Sequence, residues 1–247
     1  MVVTALLALA SYEPLPPARD FAFTGTPYLA GAAAASIAVP THSATIELVD
    51  PRTARVSSIT QFKNLTGVEQ KASLQVPWKV SGSVSPNGAS FRTLKVAWNG
   101  RDLPMMSTMI YPPTGASAEV VLPPNATASV RVSLEAPVRR TGLGNKQFIV
   151  GYALTGDRPV GKLNLTYRYV GNLTGRDVFR LPEAFPKSFP WTIGDRGTFL
   201  RLEDVRPSEA VTYLTFYPGG YSDIGDCGGR RYSSRHFATE TGRKASS

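Results

Sequence analysis

From Thr45 onward the chain alternates apolar and polar residues one by one, the pattern of strands that bury one face and show the other to water. Thr45 to Val49 alternates and stops at Asp50-Pro51, and Val56 to Phe62 alternates again before the turn-forming Lys63-Asn64-Leu65-Thr66-Gly67. Lys71 to Val80 places Ala72, Leu74, Val76 and Trp78 on one face, with Pro77 marking an edge or a bulge. Phe91 to Trp98 ends at Asn99-Gly100, a dipeptide that tolerates positive φ and so signals a tight hairpin. Val120 to Leu122 and Ala128 to Leu134 read as a pair around Pro123-Pro124-Asn125. Later strand signals cover Gln147 to Leu154, Lys162 to Val170, Val178 to Leu181, Thr198 to Leu202 and Val211 to Tyr217. No segment holds a helical period long enough to supply crossover helices, which disfavours a parallel α/β sheet.

Strand signals recurring every 8 to 12 residues or so indicate an all-β, antiparallel sandwich of immunoglobulin-like or jelly-roll type. The length of 247 residues accommodates two tandem sandwiches, expected at 44–136 and 146–217 with a connection at 137–145. Around them lie a signal-like segment (1–10), a linker or N-terminal arm (11–43) and a flexible basic tail (218–247). The motif Asn64-Leu65-Thr66-Gly67 recurs as Asn172-Leu173-Thr174-Gly175, either as an echo of two related modules or as independent turn chemistry.

The segments Ile59 to Asn64, Val96 to Gly100, Leu122 to Asn125 with Val130 to Leu134, and Tyr152 to Gly156 leading to Gly161-Lys162-Leu163 carry one further reading. Together they resemble a loosely defined group of exported bacterial β-sandwich proteins with no assigned activity. The resemblance spans roughly Thr45 to Val170 and implies fold and compartment; it supplies no catalytic residue.

The compartment is also suggested by the start of the chain. Val2 to Ala10 is a short apolar run ending in Ala8-Leu9-Ala10, a small-x-small pattern that suits signal peptidase, although no Lys or Arg precedes Arg19. The competing reading is a buried N-terminal strand. No stretch approaches the ~20 apolar residues of a membrane-spanning helix. The one cysteine, Cys227, excludes an internal disulfide framework.

Groups able to do chemistry are sparse. The two histidines, His42 and His236, fall in the expected arm and tail, where no rigid scaffold would hold a catalytic or metal-binding imidazole. The carboxylates Glu47, Asp102, Glu119, Glu135, Asp157, Glu183 and Asp195 stand singly, and Asp223 with Asp226 lacks the ligand density of a calcium loop. No cofactor or metal site is expected, and the protein reads as a non-enzyme. Trp78, Trp98, Trp191, Tyr167, Tyr169, Tyr213 and Tyr217 either fill a sandwich core or form a sugar-stacking platform. The segment from Phe185 to Trp191, with Pro186 and Pro190, is apolar yet too proline-rich for a central strand. It is expected to plug one end of the fold or to present a recognition surface through Phe185, Phe189 and Trp191. Asn64, Asn125, Asn164 and Asn172 head Asn-x-Thr sequons and are glycosylation candidates on surface turns.

The net charge of +9 favours acidic partners. The charges are dispersed and accompany no nucleic-acid motif, so an anionic polysaccharide or envelope surface is preferred to nucleic acid. The sequence thus points to a non-catalytic, extracytoplasmic protein of the cell envelope or surface, periplasmic or secreted, acting through protein partners or self-assembly. Two alternatives stay open: a carbohydrate-binding module using exposed Trp and Tyr, and a viral capsid-type shell protein with a basic tail.

Overall fold

Alternation converts directly into burial. Along Thr53–Asn64, Ala54, Val56, Ser58, Thr60, Phe62 and Asn64 point inward while Arg55, Ser57, Ile59, Gln61 and Lys63 face out. Sealing one side chain such as Phe62 from water contributes about 2–3 kcal/mol, so a strand with this pattern is fixed in its register.

The computed structural model describes residues 22–31, 36–50, 53–80, 93–107, 115–141, 147–169, 183–185, 187–194, 197–206 and 211–216. The regular elements among them are β-strands. The first five are β1 (Ala22–Gly25), β2 (Tyr28–Ala30), β3 (Ile37–Asp50), β4 (Thr53–Asn64) and β5 (Gln70–Val80). The middle of the chain forms β6 (Lys95–Trp98), β7 (Arg101–Asp102), β8 (Met106–Ser107), β9 (Gly115–Leu122), β10 (Thr127–Pro137) and β11 (Arg139–Thr141). The last six are β12 (Gln147–Ala153), β13 (Val160–Tyr169), β14 (Glu183–Phe185), β15 (Thr192–Gly194), β16 (Gly197–Val205) and β17 (Val211–Phe216). They build two sheets. One runs β14-β17-β12-β1-β5-β9-β8, with β11 on β12 and β2 on β5; the other runs β15-β16-β13-β3-β4-β10-β6-β7. Between them lies one core, with Ile46, Leu48, Phe62, Val130 and Leu165 from the second sheet and Leu74, Leu122 and Tyr152 from the first.

The all-β sandwich is therefore present, and four expectations need correction. First, the 44–136 and 146–217 halves are not separate pairs of sheets: both halves contribute to both sheets. The seams are two parallel pairings, β1 with β12 and β3 with β13, in a ladder otherwise antiparallel. Alternation shows which face of a strand is buried, not which strand lies beside it. Second, the expected arm contributes β1, β2 and the first part of β3, where Leu29, Ile37 and Val39 are core residues. Third, the connection at 137–145 begins inside β10, continues through buried Val138 and includes β11; residues 142–146 lie outside the described residues. Fourth, β9 and β10 do not pair with each other. They enter opposite sheets, as do β4 and β5, so the turns after Lys63 and Leu122 are arches across the sandwich. Segments 1–10, 178–181 and 218–247 lie outside the described residues.

Local turn chemistry explains the joints. Asn99 and Gly100 take φ of 50° and 79°, and Trp98 pairs with Arg101, the two-residue hairpin expected of Asn-Gly. Pro77 is on no edge, since β5 is flanked by β9 and by β1 and β2; it faces the gap between β1 and β2, where a missing N–H costs no ladder bond. Pro40 lies in a central strand at a register shift between Ala38 and Thr41. Opposite it is Gly161, where a Cβ would stand 2.9 Å from the Pro40 carbonyl oxygen; only glycine lets the two backbones approach so closely.

Candidate binding site

The described histidine is the residue that sequence reasoning misplaced most. His42 points inward from β3 and is fully buried. Its Nδ1 lies 2.8 Å from Thr60 Oγ1, its direct cross-strand neighbour, and its Nε2 lies 2.8 Å from the Tyr152 hydroxyl in the opposite sheet. Burial pushes the imidazole pKa down to about 3, so the ring is neutral, with one nitrogen donating and the other accepting. A second link runs the other way: Tyr167 of β13 reaches the Thr212 hydroxyl at 3.1 Å, and Thr212 Oγ1 donates to the Tyr152 carbonyl at 2.8 Å. Burial raises the pKa of both tyrosines, keeping them protonated. These groups form a polar chain across the core, and its role is to lock the two sheets in register. With no exposed surface, His42 cannot meet a substrate in the folded chain.

The sequons separate into different environments. Asn64 is fully buried at the end of β4. Its Nδ2 donates to the carbonyls of Val68 (2.8 Å), Pro123 (2.9 Å) and, more weakly, Leu122 (3.3 Å). Its Oδ1 accepts from Thr66 N at 2.9 Å and Thr66 Oγ1 at 2.8 Å. Asn64 therefore staples the two arches together, and the expectation of a glycan there is corrected: the nitrogen that would carry it is enclosed by carbonyls. Asn125, at φ 54° in the neighbouring arch, and Asn164 on β13 are exposed. Asn172 lies outside the described residues.

Of the proposed recognition loop, Phe189 and Trp191 are partly buried and pack against the core, Trp191 with its ring 6.1 Å from Tyr167. The backbone of Phe185 closes β14 against Tyr213. Trp98 likewise stacks on buried Phe62, ring centres 6.4 Å apart. The described tryptophan side chains thus complete the core. Of the other candidates, Asp223, Asp226, Cys227, His236 and Asp195 lie outside the described residues. Among the described residues no three His, Cys, Asp or Glu side chains gather as a metal-ligand group, and no helix is long and apolar enough to cross a membrane.

The outer face of the eight-stranded sheet carries a different arrangement. Register aligns its side chains in rows across the strands. One row reads Asn164, Ser43, Ile59, Arg131, Ala97, Asp102, and the next reads Phe199, Thr166, Thr45, Ser57, Ser133, Lys95. A third alternates in charge: Arg168, Glu47, Arg55, Glu135. Here Arg55 reaches Glu47 at 3.9 Å, an exposed pair worth at most about 1 kcal/mol. Over the first two rows the short side chains of Ser43, Thr45, Ser57, Ser133 and Ala97 leave an open groove of about 330 Å³. Its longer lining residues are Ile59, Lys95, Arg131 and Asp102. The described ion pairs are Arg55–Glu47 and Arg158–Asp157, and neither Lys95 nor Arg131 belongs to them. The groove combines hydroxyls, an exposed isoleucine, two cations and one carboxylate, which suits reversible binding of a polar ligand.

The sequence matches no protein-family model and no curated protein. The fold, however, has solved counterparts. A candidate nutrient-binding protein from Legionella pneumophila superposes with a TM-score of 0.60 at 14% identity, over 81% of this chain and 72% of that one. A two-domain M1 zinc metallopeptidase variant bound to L-tryptophan aligns at a TM-score of 0.35 and 8% identity, over 73% of this chain and 43% of that one. An aminopeptidase N family protein from Idiomarina loihiensis aligns at 0.39 and 14%, over 70% of this chain and 29% of that one. The first likeness is one of fold; the other two are too distant to support any argument, and this chain spans less than half of either peptidase.

Proposed function

We propose that the protein is a non-catalytic recognition component of the cell envelope or surface, working outside the cytoplasm, and that it engages its partner through the groove on the outer face of the eight-stranded sheet. The observation that carries this reading is the groove itself: a concave, hydroxyl-lined surface with two cations that belong to neither ion pair among the described residues. Its support is the contrast with the described histidine, which is sealed in the core and held between two hydroxyls. The likeness to the Legionella protein is one of fold and does not choose the ligand.

The test is retention of the folded protein on envelope material isolated from its native host, beside a Ser57→Trp variant that fills the groove from an exposed position. The native chain is expected to be retained and the variant to wash through with an unchanged unfolding midpoint. Equal retention of both would move the binding surface elsewhere, and failure of both to bind would remove the envelope reading.

A further inference from the structure

We infer that the groove is a subsite for an acidic glycan, with a uronate carboxylate held between Arg131 and Lys95. The inference rests on the binding reading above and names the ligand chemistry of the same site. Arg131 of β10 stands opposite Ala97 of β6, and Lys95 is two residues along the same strand on the same face. Such diagonal neighbours are separated by about 7–8 Å, a gap that one anionic group can bridge. The guanidinium offers a planar pair of donors that fits a carboxylate, and the ammonium adds a point charge on the other side. Both residues line the groove, and neither belongs to an ion pair among the described residues.

The rest of the lining fits a sugar ring better than a nucleotide. Ser43, Thr45, Ser57 and Ser133 carry hydroxyls that both donate and accept, as the hydroxyls of a glycan do. Ile59, 43% exposed, offers an apolar patch to the C–H face of a ring. Asp102 gives the groove one acceptor for hydroxyl donors. Single-stranded nucleic acid is generally gripped by stacking aromatics above a continuous cationic track. Among the described residues no aromatic side chain lines this groove, and the adjacent row cancels its own charge through Arg168, Glu47, Arg55 and Glu135.

The row from Phe199 to Lys95 crosses six strands, about 24 Å at the usual spacing between neighbours. An extended chain lying along it would place one acidic unit in the groove and further units over Thr166 and towards exposed Phe199.

The experiment is calorimetric titration of the full chain with oligomers of galacturonate and of mannuronate, and with the same oligomers methyl-esterified at their carboxyls. At least one free acid is expected to bind at least tenfold more tightly than its ester. Arg131→Gln and Lys95→Gln should each weaken the acid about tenfold, weaken the ester by less, and leave the unfolding midpoint unchanged. If acid and ester bind alike and neither variant matters, the carboxylate subsite is wrong while a glycan-binding groove survives. If no acidic oligomer binds, the inference falls, and binding of oligothymidylate at the same salt would give the groove to nucleic acid. Retention on envelope material, measured separately, decides the broader reading in each case.

Discussion

Asn64 engages both ends of its amide in hydrogen bonds, and its chemistry makes a sharp prediction. Its amide nitrogen faces three carbonyl oxygens, so Asn64→Asp replaces a donor by an acceptor among acceptors. Losing these bonds in a buried site is expected to cost about 2–4 kcal/mol, with the aspartate variant worse than Asn64→Ala, read from urea unfolding. An unchanged midpoint would mean that the arches hold without the staple. His42 makes a second prediction, in pH. The folded ring takes no proton until about pH 3, whereas the unfolded ring takes one below its ordinary 6.5. The stability due to neutral His42 is complete above 6.5 and is lost as pH falls through that window. Between pH 6.5 and 4.5 the native chain should lose about 2–3 kcal/mol more than a His42→Gln variant. Parallel pH profiles for the two would show that the imidazole is reached by water or protons in the folded state. Neither role was legible in the sequence. Asn64 looked like a sequon on a surface turn because Asn-Leu-Thr-Gly is ordinary turn vocabulary, and nothing local reveals that a second arch closes over it.

At the scale of the element, burial faces were readable and neighbours were not. Ala72, Leu74 and Val76 are buried as their alternation requires, and Asn99-Gly100 makes the expected hairpin. The first part of β3 escaped for a physical reason. Its inward residues are Ile37 and Val39, then His42, Ala44, Ile46 and Leu48, so the bulge at Pro40 moves the buried set from odd to even positions. A phase slip with a histidine on the inner face looks like the end of a strand. The bulge depends on Gly161, and Gly161→Ala is expected to destabilise the fold by about 1–3 kcal/mol, because the new methyl meets the Pro40 carbonyl. Thermal unfolding of the variant checks this, and an unaltered midpoint would show that β13 can shift to accept a side chain. The groove was invisible for a related reason. Its residues come from β3, β4, β6, β7 and β10, and only the order of those strands within the sheet assembles them.

At the scale of the whole molecule, both sheets are stitched from early and late strands, so the described structure should unfold as one cooperative unit. Coincident loss of near- and far-ultraviolet dichroism in denaturant would agree, and two resolved transitions would restore the tandem arrangement. Residues 1–141 and 147–247 made as separate chains should each lack a stable fold, since each would leave unpaired the flanks of β1 and β3 or of β12 and β13. The parallel pairing of β3 with β13 has a further meaning for the order in which the molecule is born. A ribosome releases β3 long before β13 exists, and a contact so distant in sequence forms slowly even when both partners are present. The growing chain must keep the flank of β3 open until β13 has been made. A nascent chain of this kind stays extended late into its synthesis, and one that stops early offers a bare strand flank to any neighbour that will pair with it.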